Sequence, residues 1–522
     1  MELVRENITI NKHIGEGRSQ LLLEGDIIVP DVKPDISSIL RAEANISVSR
    51  ASASVGRIAY NGKMNINVLY LASGAEESPV HSISASAIID DFLNMEGVSP
   101  NNWVNLTCEL ANVDYRVVND RKLNYRAVVD VKADAWENES FDAVQSIGGL
   151  PATQQKNSFF TISNITAKQM DSFTIQDEIV LPQNMPAVSE LLQTNVRVTN
   201  QEINTAGGRI DISGDLVVSP LYKGDDGASV IEFSEFILPF NGSLEVANAH
   251  ENCYVDVSLA VADHLVEIAA NEEGENRIFT LEVSVAADIE ISESREVEIL
   301  EDAYCIEQNL DIVAQGLNYQ RLICRNKNQF STKEVVSLEN APDILQVLQV
   351  NGIARIEETK VVDDKVVVEG IVEANMLYIA QSDTDPLYNY TAHVPIRQVV
   401  ETKGAKAGME ASTSHAIENI SFSMMSSNEV DLRFTLGIDV VVQETVSRDF
   451  VQEIEFSPFD LEALDALPSM TILVAEKGDS LWSVAKEYNA DLEELAAIND
   501  LEPSSELCDG QKLLVVKKVA NQ

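Results

Sequence analysis

Gly62-Lys63-Met64-Asn65-Ile66-Asn67-Val68-Leu69-Tyr70 alternates polar and apolar side chains before closing on a bulky pair. That two-residue period belongs to a strand with one face buried. The same frame returns at Gly214 with Leu221-Tyr222 and again at Gly370 with Leu377-Tyr378. Upstream, Pro34-Asp35-Ile36 and Leu40 correspond to Pro186, Val188 and Leu192, and then to Pro342-Asp343-Ile344 and Leu348. Ile28-Val29-Pro30 has a counterpart in Val180-Leu181-Pro182, whereas the third copy places Leu338 where the first two carry a proline. Three copies of one supersecondary unit therefore occupy most of the chain.

The second proline of each copy fixes φ and lacks a donor, which suits the first position of a short helix. In the first copy that helix is expected to carry Ile36, Ile39 and Leu40 inward. The repeated glycine predicts a bulge or a close backbone approach within the following strand. A second β-rich stretch follows in each copy: Tyr125 to Val131, Phe279 to Val285 and Leu432 to Ile438. The expected fold is mainly β, in three related domains over 1–150, 151–305 and 306–456, each long enough for its own core. Tyr70, Tyr222 and Tyr378 are expected inside those cores. The segment 457–470, with Leu461, Leu464 and Leu467 between Pro458 and Pro468, reads as a linker, either a short amphipathic helix or an acidic tether.

Gly478-Asp479-Ser480-Leu481, Val484-Ala485, Tyr488, Leu495, Asn499 and Gly510-Gln511-Lys512-Leu513 form an ordered series near the C-terminus. Over 471–518 this series resembles a LysM domain. The resemblance implies a βααβ unit that binds N-acetylglucosamine polymers in a groove between two loops, here Gly478, Asp479, Ser480 and Leu481 on one side and Asn499, Asp500, Leu501 and Glu502 on the other. The copy departs from the family at Leu473, Ala475 and Val516, and Asp500, Glu502 and Glu506 make its rim acidic. Such a rim suits a basic protein surface at least as well as a neutral sugar.

The chain holds 37 basic against 84 acidic residues, a formal net charge of −47. That field repels phosphate backbones and anionic lipid, so neither nucleic-acid binding nor membrane insertion is expected. Five widely spaced cysteines without a Cys-x-x-Cys pair point to a reducing compartment and away from zinc. The N-terminal residues lack a positive segment followed by an apolar run, so residence in the cytosol is expected. No catalytic motif appears, the six histidines do not cluster, and no catalytic residue, metal or cofactor is expected.

The threefold repeat resembles a bacterial module of spore-envelope proteins, and several such modules ahead of one LysM resemble the clostridial spore-coat morphogenetic proteins. The resemblance implies a non-enzymatic mother-cell protein that helps the coat encase the forespore. Its implied partners are the coat basement-layer ATPase or another coat protein. The alternative is a binder of peptidoglycan in the cell wall or spore cortex.

Overall fold

The computed structural model describes residues 2–73, 80–150, 152–225, 231–250, 253–381, 387–458 and 470–516. The linker reading falls on 459–469, outside the described residues. The first unit contains β1 (Glu2–Ile28), β2 (Ile36–Ser54), β3 (Arg57–Ala72), β4 (Val80–Asn94), β5 (Trp103–Asn119) and β6 (Lys122–Gly148). The second contains β7 (Thr153–Val180), β8 (Val188–Ala206), β9 (Arg209–Gly224), β10 (Ile231–Phe233), β11 (Phe236–Glu245), β12 (Tyr254–Ala270) and β13 (Asn276–Cys305). The third contains β14 (Asn309–Ser337), β15 (Ile344–Val362), β16 (Lys365–Ala380), β17 (Leu387–Glu401), β18 (Glu410–Ser426) and β19 (Glu429–Ser457).

Within each unit two antiparallel sheets pack face to face. In the first they are β2-β3-β4 and β1-β6-β5. Inward residues of the central strands meet in the core, with Met64, Ile66, Val68 and Tyr70 from β3 against Leu123, Tyr125, Ala127 and Val129 from β6. Tyr70, Tyr222 and Tyr378 are all fully buried. The hydroxyls of Tyr70 and Tyr378 donate to Pro34 O and Pro342 O, each at 2.9 Å.

No helix follows the second proline, contrary to the expectation from Ile36, Ile39 and Leu40. Ile36 opens β2 instead, its N–H donating to Asp120 O at 2.7 Å. The helix-like spacing comes from two irregularities, between Ile36 and Ser38 and between Ile39 and Arg41. Each inserts one residue and converts the strand period of two locally into three. The repeated glycine has the expected role. Gly62, Gly214 and Gly370 each lie opposite a further irregularity in the neighbouring strand. A Cβ on Gly62 or Gly370 would collide with the carbonyl oxygen of Ser47 or Arg355.

The first and last strands of each unit are long: β1 has 27 residues and β13 has 30, against the usual 3–10. Only part of each belongs to a three-stranded sheet. The third strand ends at Trp103↔Trp136 in the first unit, Tyr254↔Ser292 in the second and Glu410↔Gln443 in the third. Beyond those points each unit continues as a two-stranded ribbon, and a bulge sits at each transition, at His13/Gly15, Ile291/Ser292 and Leu322/Cys324. An isolated ribbon is marginal in water. The three ribbons bury one another, with Ile8 and Ile10 of the first, Phe160 and Val297 of the second and Leu317 and Phe450 of the third in one cluster. Phe450 meets Phe141 at 4.8 Å and Phe160 at 5.5 Å between ring centroids.

The molecule thus has three heads and a shared stem. Equivalent residues of the heads converge, as Leu69, Leu221 and Leu377 join Leu192 and Leu348 in one buried cluster, which places the heads around a pseudo-threefold axis. Next to it lies a polar layer. Arg41 Nη2 donates to Gln193 Oε1 at 2.5 Å and Gln349 Oε1 at 2.8 Å, three side chains from equivalent positions. Glu43 accepts from Gln193 Nε2 (2.5 Å) and Asn351 Nδ2 (2.9 Å) and faces Arg41 Nε at 3.4 Å. One buried guanidinium is neutralised by one carboxylate and bonded to two amides through Nη2, while its Nε and Nη1 have no hydrogen-bond partner among the described residues. Burial pushes the Arg41 guanidinium down and the charge of Glu43 partly restores it.

Candidate functional site

The C-terminal module consists of β20 (Met470–Val474), α1 (Leu481–Glu487), α2 (Leu492–Ile498) and β21 (Lys512–Val516), the two strands antiparallel. Gly478 takes φ +107°, a conformation open to glycine and strained for other residues. Asp479 closes that turn by accepting from Glu476 N at 2.8 Å. Ser480 caps α1 in a reciprocal box with Ser483, as Ser483 N donates to Ser480 Oγ (3.1 Å) and Ser480 N to Ser483 Oγ (2.9 Å). Leu481 is buried in the module's core.

The second loop is more inward than the sequence suggests. Asn499 Nδ2 donates to Leu495 O (2.8 Å) and Leu514 O (2.9 Å), and its Oδ1 accepts from Leu514 N (2.6 Å). Both ends of its carboxamide are committed to tying α2 to β21. Leu501 packs against the core. Asp500, Glu502 and Glu506 are exposed, and Ser480 bridges to Glu506. The two loops therefore meet through Ser480 and Glu506, and the side chains they leave at the surface are predominantly acidic.

A second face of the module is in contact with the stem. Trp482 Nε1 donates to Asp302 Oδ2 at 2.8 Å and Lys486 Nζ pairs with Asp302 Oδ1 at 2.5 Å. The Tyr304 ring stands edge-on to Trp482 at 5.1 Å, and its hydroxyl donates to Ala490 O at 2.8 Å. Gln154 Nε2 reaches Asp491 Oδ2 at 3.2 Å. Burial, with the nearby charge of Asp491, pushes the Tyr304 phenol far up. These stem residues all belong to the second unit, β7 and β13, although the module follows the third. Nothing in the sequence marks Asp302 or Tyr304 as partners of Trp482.

Comparison with family models places these elements. The SipL SPOCS domain matches residues 35–118, 187–269 and 343–425, which in each head cover the β2–β5 portion or its equivalent. The LysM domain matches 474–516. The chain is a protein of three SPOCS domains and one LysM domain. No curated protein and no solved structure matches it. The SPOCS domains mark a sporulation-related protein, and the LysM domain is a module of the peptidoglycan-binding class. Both are binding or structural domains. Among the described residues no three or more His, Cys, Asp or Glu side chains are grouped to hold a metal ion. No helix among them is long and apolar enough to cross a membrane.

Proposed function

We propose that this protein is a non-enzymatic assembly factor of the spore coat, acting in the mother cell at the forespore surface. In this reading its LysM domain docks a coat protein, with the basement-layer ATPase as the first candidate. The observation that supports it most is the character of the LysM loops. Asn499 and Asp479 are consumed by the fold, Leu481 and Leu501 face the core, and Asp500, Glu502 and Glu506 are left to face a partner. An acidic surface of this kind selects a basic protein patch and accelerates encounter with it. The three units over 1–150, 151–305 and 306–456 serve as the scaffold, joined through 457–470 to the LysM domain. The second reading, capture of peptidoglycan through the same loops, is favoured by the LysM match itself.

A pull-down from sporulating cells with the full chain separates the two, run with and without soluble chitooligosaccharide. Recovery of a coat protein regardless of sugar supports protein docking. Retention on peptidoglycan with no protein partner moves glycan binding to first place. Reversing charge with Asp500→Lys and Glu502→Lys, both exposed, is expected to cut partner recovery at least tenfold without affecting the heads.

A further inference from the structure

A cleft of about 1230 Å³ opens between the three SPOCS heads, larger than the roughly 300–1,000 Å³ of a small-molecule pocket. One wall is the outer face of β3 and β4, which the two-residue period directs away from the first head's core. Lys63, Asn65 and Asn67 succeed one another there, with Ser86 across from Asn65 and Ser84 across from Asn67. The corresponding positions in the second head are Asp215, Val217 and Ser219, and in the third Ile371, Glu373 and Asn375. The paired carboxamides belong to the first head alone.

The charges around the cleft are compensated within the chain. Lys63 pairs with Asp263 at 2.8 Å, Lys33 with Glu190 at 3.1 Å and Arg197 with Glu235 at 2.9 Å, while Glu43 is held by Arg41. A polyion therefore finds no net charge to recognise, and the hydrogen-bonding capacity of the walls is in amides and hydroxyls. Among the described residues, Asn67, Tyr115, Thr194 and Arg197 each carry a buried polar atom without a protein partner. Tyr115 supplies the single Phe, Trp or Tyr ring among the described lining residues, so the flat aromatic surfaces on which sugar C–H faces pack are nearly absent. Aliphatic side chains such as Ile353, Ile417 and Leu265 supply the rest.

Asn65 and Asn67 stand two residues apart on a strand, about 6.6–6.8 Å. That is the spacing at which an extended peptide presents successive peptide groups on one side. A carboxamide offers one acceptor and two donors. One donor of Asn65 is spent on Asp263 Oδ1 at 3.4 Å and one of Asn67 on Ser84 Oγ at 3.1 Å, and the remaining donor and acceptor of each match the N–H and C=O of such a main chain. We propose that the cleft between the heads captures an extended, uncharged peptide segment of another protein, its main chain running along β3 and bridged at alternate peptide groups by Asn65 and Asn67. This site is separate from the LysM loops and does not depend on what they bind.

The test uses the full chain and a fluorescein-labelled pool of random decapeptides built from Ala, Gly, Ser, Thr and Val, read by fluorescence anisotropy. Saturable binding is expected. It should weaken at least tenfold in the Asn65→Ala/Asn67→Ala double variant, and equally for a pool N-methylated at alternate amides. Ser86→Tyr, at an exposed strand position, should block the cleft by bulk and weaken binding to the same extent, with an unchanged melting curve as the folding control. Chitohexaose should not displace the peptides. Absence of saturable binding, indifference to both variants or to N-methylation, or displacement by chitohexaose would overturn the proposal.

Discussion

The heads are joined to one another and the LysM domain is joined to the stem by contacts of different kinds. Between heads, Arg41 is buried in a layer of amides with one compensating carboxylate. Nearby, Glu190 of the second head is surrounded by His81 at 3.0 Å, Lys223 at 2.9 Å and Lys33 at 3.1 Å. Between the LysM domain and the stem, the polar pair Asp302 and Lys486 is a quarter and two-fifths exposed, and the buried Tyr304 ring packs into the module's core beside Trp482. Removing one partner of a buried pair strands a charge in low dielectric, whereas a half-exposed pair is replaced by water at little cost. The polar links between the heads are therefore the costlier to break, and those between the LysM domain and the stem the cheaper.

Arg41→Ala should break this comparison most forcefully, destabilising the heads by about 3–5 kcal/mol in chemical denaturation. A loss under 1 kcal/mol would mean the axial layer tolerates hydration and the heads are only loosely joined. Glu190→Gln comes next, with a loss of about 1.5–3 kcal/mol, the range for hydrogen bonds to charged groups. Burial alone would raise the Glu190 carboxyl, but hydrogen bonds from His81 and Lys223 and the charges of Lys223 and Lys33 pull it down to about 2. Its folded value lies below the ordinary one of 4.5, so its contribution is complete above that pH and fades as pH falls toward 2. Melting curves across this interval should show the acid-dependent loss shrink in the variant. Asp302→Ala should have the smallest effect, at most about 1 kcal/mol. Hydrogen exchange should then quicken over 481–491 and stay unchanged at the head–head contacts. Protection lost in both places would show that the two joints are coupled.

The legible parts of this fold were those written in side-chain periodicity. Met64 to Val68 alternate because one face of β3 is buried, and the glycines recur because each backs onto a bulge. The helix expected at Ile36 was a misreading of the same bulges, since an inserted residue mimics helical spacing. The LysM elements were legible because a capped turn and a βααβ core require particular residues at particular places. Among the loop residues, Asn499 was recognisable as important, but its partners Leu495 and Leu514 depend on how α2 meets β21. The axial layer did leave a signal, as Arg41, Gln193 and Gln349 each follow a matched leucine and are polar where a core strand would be apolar. The stem and the Asp302 contact left none, because their partners lie far apart in sequence and obey no local pattern.

The shared stem also fixes a timetable. Its first ribbon is complete when residue 148 has been made, but the last strand that covers it, β19, ends at Ser457. At roughly 5–20 residues per second, the intervening 457 − 148 = 309 residues take about 15–60 s to synthesise. Until β13 ends at Cys305 the nascent chain presents Ile8, Ile10 and Ala143 on a strand pair that has no companion, and from there to Ser457 the stem still lacks its third ribbon. The ribosome thus holds a half-built, adhesive shaft beneath a finished first head, and a folding helper that shields it would be needed only until the third ribbon arrives.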